Sequence, residues 1–124
     1  MLIKSQDKTA LVKFENIVVN LKLPDSLTII CWSLQDAQRN GGYLVLGKYS
    51  SKAKAMKVLD IIQEAYADFE SAKITSTGLA TVAYTGSYDT PESVAHGIKV
   101  LQSYAEMIRE SVVFQMPEDG SVEI

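Results

Sequence analysis

The strongest constraint on the fold of this chain is a change in the spacing of its apolar residues near residue 51. Before that point apolar and polar residues alternate, most clearly over residues 16–23, as expected for a strand with one wetter face. After it, apolar residues recur at helical spacing, at Ala55, Leu59, Ile62, Tyr66 and Phe69. Strands followed by helices indicate the α+β class rather than a parallel α/β sheet.

The first part of the chain predicts an antiparallel meander of four to five strands, expected over residues 2–4, 10–14, 16–23, 27–34 and 43–49. A polar turn closes the first hairpin, because Ser and Asp side chains bond to nearby backbone. Pro24 ends the third strand, and Gly41 and Gly42 supply the turn of a second hairpin. The fourth strand is apolar on both faces, so both are expected to be covered. A last short strand is expected over residues 112–116.

Two amphipathic helices are expected to pack on this meander. The first covers residues 52–70, with Ser50 or Ser51 as its N-cap and with its charged residues opposite the apolar face. The second begins at Thr90 and Pro91, which are favoured as N-cap and first helical residue, and runs to Glu110. Its apolar stripe repeats the spacing of the first helix, at Val94, Ile98, Leu101, Ala105 and Ile108.

Residues 71–88 are rich in Ser, Thr, Ala and Gly, and two interpretations stay open. The segment contains either a strand over residues 79–84 or a mobile loop. With the strand, the order strand, Gly-x-Tyr, cap and helix occurs twice, with Gly-x-Tyr at residues 47–49 and 86–88. This similarity fits a duplication, and it equally fits a common succession of elements that needs no shared origin.

The composition indicates one domain of 124 residues, and 47% apolar with 22% charged residues excludes global disorder. A net charge of −3 lacks the basic excess typical of nucleic-acid binders, so we expect no nucleic-acid partner. The longest apolar-rich run, residues 27–32, is too short to span a bilayer, which needs about 20 residues, so no membrane association is expected. No signal-peptide pattern is present, and the lone Cys31 is expected to be a buried thiol in a reducing cytoplasm.

Few residues are available for catalysis or metal binding, because the chain has one Cys and one His. His96 is expected to face away from the apolar stripe of its helix, with no orienting partner for acid–base work. A nucleophilic pair of Cys31 and His96 would require a strand interior to meet the outer side of a helix. One Cys and one His cannot form a structural zinc site, and Asp60 with Glu64 belongs to a solvated helix face. We therefore expect no metal, no cofactor and no enzymatic activity.

Four lysines crowd the start of the first helix, where cations oppose the helix dipole: Lys48, Lys52, Lys54 and Lys57. Because the first N–H groups of a helix attract anions, a candidate site for phosphate or another small ligand comprises Lys48, Ser50, Ser51 and Lys52. The segment is not Gly-rich and matches no phosphate-binding loop. The simpler interpretation is a set of solvated lysines beside acidic partners.

The apolar surface also predicts self-association. One layer of helices covers only one face of the second hairpin, and the second helix carries apolar residues outside its main stripe. Surplus apolar surface is usually covered by another subunit, so we expect a homo-oligomer, as a dimer, with Val100, Tyr104 and Met107 in the interface. Two functions stay open: a self-associating protein-interaction module with an unidentified protein partner, or a small-anion or small-ligand binding protein, with or without enzymatic activity, that uses Lys48, Ser50, Ser51 and Lys52. An enclosed pocket would favour the second, and a flat apolar surface the first.

Four segments carry a resemblance to known proteins: IKSQDK at residues 3–8, LGKYSS at 46–51, AMKVLDII at 55–62 and MP at 116–117. Together they resemble a group of small uncharacterised proteins from low-GC Gram-positive bacteria and their phages or mobile elements. The resemblance covers residues 1–70 and 115–124, and the segment 71–111 is longer than the group suggests. It implies a bacterial, cytoplasmic setting and no particular activity.

Overall fold

The computed structural model describes residues 1–34, 42–85 and 90–124, and within it residues 76–85 are described by their helical backbone. The chain forms two compact units. Unit 1 comprises Met1–Glu64 with Val113–Ile124, and unit 2 comprises Ala65–Val112. The elements follow the order β1 (Leu2–Lys4), β2 (Leu11–Lys13), β3 (Ile17–Leu21), β4 (Thr28–Ser33), β5 (Leu44–Lys48), α1 (Lys52–Thr85), α2 (Pro91–Ser111) and β6 (Val113–Gln115), with short 3-10 turns at Phe14–Asn16 and Asp119–Ser121.

The α+β class is confirmed, but the single meander of four to five strands is not. The described strands form two three-stranded sheets, one in the order β2-β1-β6 and the other in the order β3-β4-β5. The 3-10 turn at Phe14–Asn16 interrupts the chain between β2 and β3. The second edge of β1 pairs with β6, in parallel, with Ile3 opposite Phe114. Strand partners so distant in sequence are chosen by tertiary packing, which local alternation does not specify.

Both predicted hairpins contain real antiparallel pairs. β1 pairs with β2 around the turn at residues 5–9, where the Asp7 carboxylate accepts bonds from the Ser5 hydroxyl at 2.7 Å and the Thr9 N–H at 3.0 Å. These hydrogen bonds, together with one from the Thr9 hydroxyl at 2.7 Å, lower the pKa of Asp7 to about 2. β4 pairs with β5, although the turn between them lies mostly at residues 35–41, outside the described residues.

The central strand of the second sheet is covered on both faces, as its sequence predicts. Ile29, Ile30 and Cys31 are successive residues, and all three side chains are buried. Because successive strand residues point to opposite faces, both faces are shielded from solvent. A register shift opposite Ile29 and Ile30 makes Leu46 an extra residue of β5, and Leu46 is also buried.

The first helix is longer than predicted, because α1 continues from Lys52 to Thr85. Its predicted apolar face is confirmed at Ala55 and Ile62 in unit 1 and at Phe69 in unit 2, all of which are buried. Both interpretations left open for residues 79–84, a strand or a mobile loop, are wrong, since this backbone is helical. The segment contains no Pro, and extending an existing helix adds a hydrogen bond with each residue.

The proposed repeat loses its second strand for the same reason. The second Gly-x-Tyr follows a helix rather than a strand, and residues 86–89 lie outside the described residues. No helix in the described part of the chain is both long and apolar enough to cross a membrane.

The start of α2 follows the sequence prediction closely. The Thr90 hydroxyl accepts the Ser93 N–H at 3.1 Å, and the Ser93 hydroxyl accepts the Thr90 N–H at 3.2 Å, which completes a capping box with Pro91 at the first helical position. The burial of α2 is different from the prediction. The stripe expected to be buried is exposed, at 41% for Val94, 51% for Ile98 and 40% for Leu101.

The half-buried side of α2 lies next to that stripe and contains Ser93, Gly97, Val100, Tyr104, Ile108 and Ser111. Both sides carry apolar residues at helical spacing, so periodicity alone does not decide which one the rest of the chain covers. None of the residues of α2 is fully buried.

Candidate functional site

Three segments that are far apart in sequence meet in unit 1. They are the turn after β1, the connection between β5 and α1, and the segment that follows β6. We call this place the three-segment junction and define it by Gln6, Lys48, Tyr49, Pro117 and Asp119. Of the predicted anion-site residues it includes Lys48, and Ser50 is bonded to its Asp119. Hydrogen bonds between side chains and backbone hold it together.

Gln6 connects all three segments of the junction. Its backbone N–H donates to the Leu46 carbonyl at 2.7 Å, and its side chain donates to the Pro117 carbonyl at 3.2 Å. The same side-chain amide forms two bonds with the Lys48 backbone, accepting its N–H at 2.9 Å and donating to its carbonyl at 3.1 Å. Gln6 thus occupies the outer edge of β5, where an unpaired strand edge would otherwise be open.

Tyr49 joins the junction from the end of β5, and its ring lies against Gly47. Its hydroxyl donates to the Pro117 carbonyl at 2.8 Å, and the residue is only 4% exposed. A Cβ at Gly47 would lie 3.0 Å from the Tyr49 hydroxyl oxygen, so glycine permits this close approach. Burial, together with the nearby carboxylates of Glu118 and Asp119, raises the pKa of Tyr49 to about 12.

Asp119 lies at the start of α1 and supplies a carboxylate where the sequence suggested a bound anion. Its Oδ1 accepts the Ser50 N–H at 2.7 Å, and its Oδ2 lies 3.6 Å from the Lys54 ammonium. The pKa of Asp119 is lowered mainly by the hydrogen bond from the Ser50 backbone N–H, and the Lys54 ammonium lowers it further. A negative charge is favourable at a helix N-terminus, and here it comes from the chain itself.

The four residues predicted to bind an anion lie side by side but have different roles. Ser51 caps α1, because its hydroxyl accepts the Lys54 N–H at 3.2 Å. The Ser50 N–H is bound to Asp119, and the Lys48 backbone is bound to Gln6. Lys48 and Lys52 expose their side chains. A free anion at this position would have to compete with the carboxylate of Asp119 for the Ser50 N–H.

The side chains of the junction form a hydrogen-bonded network, which fits a structural role. Among the described residues, every buried side-chain nitrogen or oxygen has a hydrogen-bond partner. Tyr49 keeps its proton at neutral pH, since its pKa is about 12, and its hydroxyl is committed to Pro117. The described residues contain no cluster of three or more His, Cys, Asp or Glu side chains suited to a metal ion.

The two residues with nucleophilic or acid–base potential lie in different surroundings. Cys31 is 2% exposed within β4, and burial raises the pKa of its thiol, which keeps the sulfur protonated. His96 is exposed on α2. The burial predicted for Cys31 and the exposure predicted for His96 are both confirmed.

Of the two tyrosines nearest the lysine cluster in sequence, only Tyr43 exposes its ring. Tyr43 is 47% exposed, and the Lys22 ammonium lies 5.1 Å from its ring centroid. Its hydroxyl raises the pKa of Lys22 through a hydrogen bond and the electrostatic interaction that accompanies it. Tyr49 is buried, so its ring is not available for stacking on a base.

The predicted interface residues Val100, Tyr104 and Met107 are spaced by four and three positions and therefore share one side of α2, but they differ in exposure. Val100 and Tyr104 are half-buried, whereas Met107 is 49% exposed. At about 100° per residue, Met107 lies roughly 140° around the helix from Val94. One flat contact cannot include both Met107 and the exposed stripe.

Sequence reasoning missed Gln6, Tyr49 and Asp119 as members of one site. The only signal was that Gln6, Tyr49 and Pro117 belong to segments that carry the resemblance described above. Their convergence spans separations of 42 to 111 residues, which no local pattern reveals.

Comparison with known proteins provides no family for this chain: no family model matches it, and no curated protein or solved structure matches it either.

Proposed function

We propose that this protein is a non-enzymatic interaction module and that the exposed apolar stripe of α2 binds a second copy of the chain. The observation that supports this is the exposure of Val94, Ile98 and Leu101, at 40% or more, along one face of a single helix. These residues are spaced by four and three positions and therefore form a continuous stripe. Contiguous apolar surface on a protein of this size favours a binding partner.

The charges beside the stripe favour a second copy over a lipid surface. One flank contains Ala95, Gln102 and Arg109, and the other contains Gly97 and Tyr104. When two copies of α2 meet along the stripe, each copy brings one charged flanking residue, Arg109. Electrostatic repulsion between the two copies is therefore small. A helix that binds an anionic bilayer normally carries several Lys or Arg residues in these positions.

The expected association is weak and reversible. α2 has 21 residues, and a helix of that length is about 30 Å long. A contact along one helix face buries less than the roughly 800 Å² per partner of a standard stable interface. We therefore expect a dimer whose fraction depends on concentration in the micromolar range.

A non-enzymatic role is supported by the state of the candidate reactive groups. The raised pKa of Cys31 disfavours the thiolate, and the raised pKa of Tyr49 disfavours the phenolate. A cytoplasmic location remains part of the proposal, and the free buried thiol of Cys31 is consistent with a reducing compartment.

Light scattering and sedimentation equilibrium over a range of concentrations test the proposal. The parent chain should exceed 13.6 kDa as concentration rises, and the double variant Ile98→Glu/Leu101→Glu should stay at 13.6 kDa. The matched control is His96→Glu/Ser103→Glu, which adds the same charge on the opposite, exposed side of α2 and should still associate. Circular dichroism confirms that each variant keeps its helices.

Two outcomes would reject the stripe as the interface. One is a parent chain that stays at 13.6 kDa at every concentration. The other is a dimer that survives Ile98→Glu/Leu101→Glu. If Met107→Asp alone abolishes the dimer, the interface instead includes the residues that the sequence suggested, Val100, Tyr104 and Met107.

A further inference from the structure

The segment Val113–Glu123, which we call the acidic segment, belongs to unit 1 and is bound to the rest of that unit partly through its main-chain carbonyls. The Pro117 carbonyl accepts from Tyr49 at 2.8 Å and from Gln6 at 3.2 Å. The Asp119 carbonyl accepts from Lys54 at 3.1 Å, and the Glu123 carbonyl accepts from Lys57. We call the four donors, Gln6, Tyr49, Lys54 and Lys57, the docking surface.

Strand pairing and two buried side chains complete the attachment. β6 adds in parallel to the edge of β1, and the Met116 N–H donates to the Lys4 carbonyl at 3.0 Å. Met116 is 1% exposed and Val122 is 5% exposed. An extended segment that joins a sheet edge, is held by its main chain and inserts a few apolar anchors is bound in the way that many proteins bind peptides.

Charge complementarity adds specificity to this attachment. The acidic segment carries Glu118, Asp119 and Glu123 and no basic residue. The docking surface contributes the ammonium groups of Lys54 and Lys57. A segment of opposite charge would be repelled by the same surface.

The covalent connection between the acidic segment and the rest of unit 1 runs through unit 2. The chain leaves unit 1 after Glu64 and returns at Val113. Its hydrogen bonds with the docking surface therefore join residues 65 to 111 positions apart. An acidic segment from another copy offers the same anchors, carbonyls and charges as the chain's own.

We propose that the docking surface is a peptide-binding site and that two copies of this chain exchange their acidic segments in it. Each copy carries one segment and one surface, so reciprocal exchange closes a two-fold dimer. The chain's own segment has the advantage of a high effective concentration, on the order of millimolar. Exchange is therefore expected chiefly when the chain refolds at high concentration.

Complementation between two differently tagged variants tests the exchange. Asp119→Ala/Val122→Ala damages the segment and keeps the docking surface, whereas Lys54→Ala/Lys57→Ala damages the surface and keeps the segment. Both also carry Ile98→Glu/Leu101→Glu, so that association through α2 does not contribute. After co-refolding at high concentration, native mass spectrometry should detect a mixed dimer, because one intact segment meets one intact surface.

The control mixes two differently tagged copies of the segment-damaged variant, which lack any intact segment and should remain monomeric. Equal amounts of dimer in the control and in the complementary mixture would overturn the proposal, as would the absence of the mixed dimer. A second measurement does not depend on the folding of these variants. The peptide of residues 113–124, present at several millimolar while the parent chain refolds and therefore above the effective concentration of the chain's own segment, should remain bound as an adduct in native mass spectrometry; a peptide with Asp119→Lys should not. No adduct with the unaltered peptide contradicts a peptide site.

Discussion

Gln6 binds the backbone of Lys48 through both ends of its side-chain amide. The Lys48 N–H donates to Gln6 Oε1 at 2.9 Å, and Gln6 Nε2 donates to the Lys48 carbonyl at 3.1 Å. A side-chain amide has the same donor and acceptor as a peptide group, so Gln6 replaces a neighbouring strand at the end of β5. Its third partner, the Pro117 carbonyl, links this edge to the acidic segment.

Replacing Gln6 with Glu should destabilise the chain by about 1–3 kcal/mol, because the donor is lost and the carboxylate faces two carbonyl oxygens. Chemical denaturation at neutral pH measures the change in the free energy of unfolding. Gln63→Glu on the exposed face of α1 is the control for the added charge and should cost much less. If the two substitutions cost the same, the bonds made by Gln6 do not stabilise the fold.

Gly47→Ala should destabilise the chain by about 1–3 kcal/mol, as overpacking does in a well-packed interior. The new Cβ would lie 3.0 Å from the Tyr49 hydroxyl and 3.1 Å from Cε2 of its ring, so the ring would have to move away from Pro117. Gly42→Ala is the matched control, since a Cβ there meets no atom of the described residues within 4 Å. Equal unfolding midpoints for the two variants would contradict the close contact of Gly47 with Tyr49.

Asp119 should make stability depend on pH in the acid range. Its pKa is lowered in the folded chain, chiefly by the Ser50 N–H, so its contribution is fully present above the ordinary aspartate pKa of about 3.9 and is lost as the pH falls below it. The parent chain should be more stable than Asp119→Asn at neutral pH, and the difference should vanish in acid. Thermal unfolding at several pH values measures this difference.

The same experiment with Asp60→Asn, an exposed carboxylate of α1, provides the control. Asp7, whose pKa is about 2, titrates in both the parent chain and Asp119→Asn, so its effect cancels in the comparison. A difference between the parent chain and Asp119→Asn that is independent of pH would show that the carboxylate charge does not contribute.

Millimolar phosphate or sulfate should not raise the unfolding temperature of the parent chain, because the Asp119 carboxylate already accepts the Ser50 N–H. If either anion does stabilise the parent, Lys48→Ala/Lys52→Ala should abolish the effect, and the alternative small-anion function would then be preferred over a purely structural role for this cluster. Sodium chloride at equal ionic strength controls for general screening of charge.

The strands and helix starts were predictable because they depend on neighbouring residues. Alternation located β3, a run of apolar, strand-favouring residues located β4, and Thr90 followed by Pro91 located the beginning of α2. The end of α1 was not predictable in the same way. Thr and Val residues in segment 71–85 favour strands only weakly, and an existing helix extends through them.

The sequence predicted only part of the candidate site. Ser51 was recognisable as a cap, and the crowded lysines indicated a place for negative charge. The source of that charge, Asp119, lies 69 residues from Ser50, and its position depends on how β6 pairs with β1. Contacts of this range become visible only when the chain is folded.

The sequence by itself determined the spacing of apolar residues in strands and helices, the helix N-caps and the burial of Cys31. These features follow from the pattern of neighbouring side chains and from their bonds to adjacent backbone. The tertiary structure alone decided that β6 closes the first sheet, that Gln6 meets Lys48, and that Val94 rather than Val100 is on the more exposed side of α2. The physical reason is that several strand edges and helix faces are similar in apolar content. Their partners are therefore selected by the packing of the whole chain and not by any segment alone.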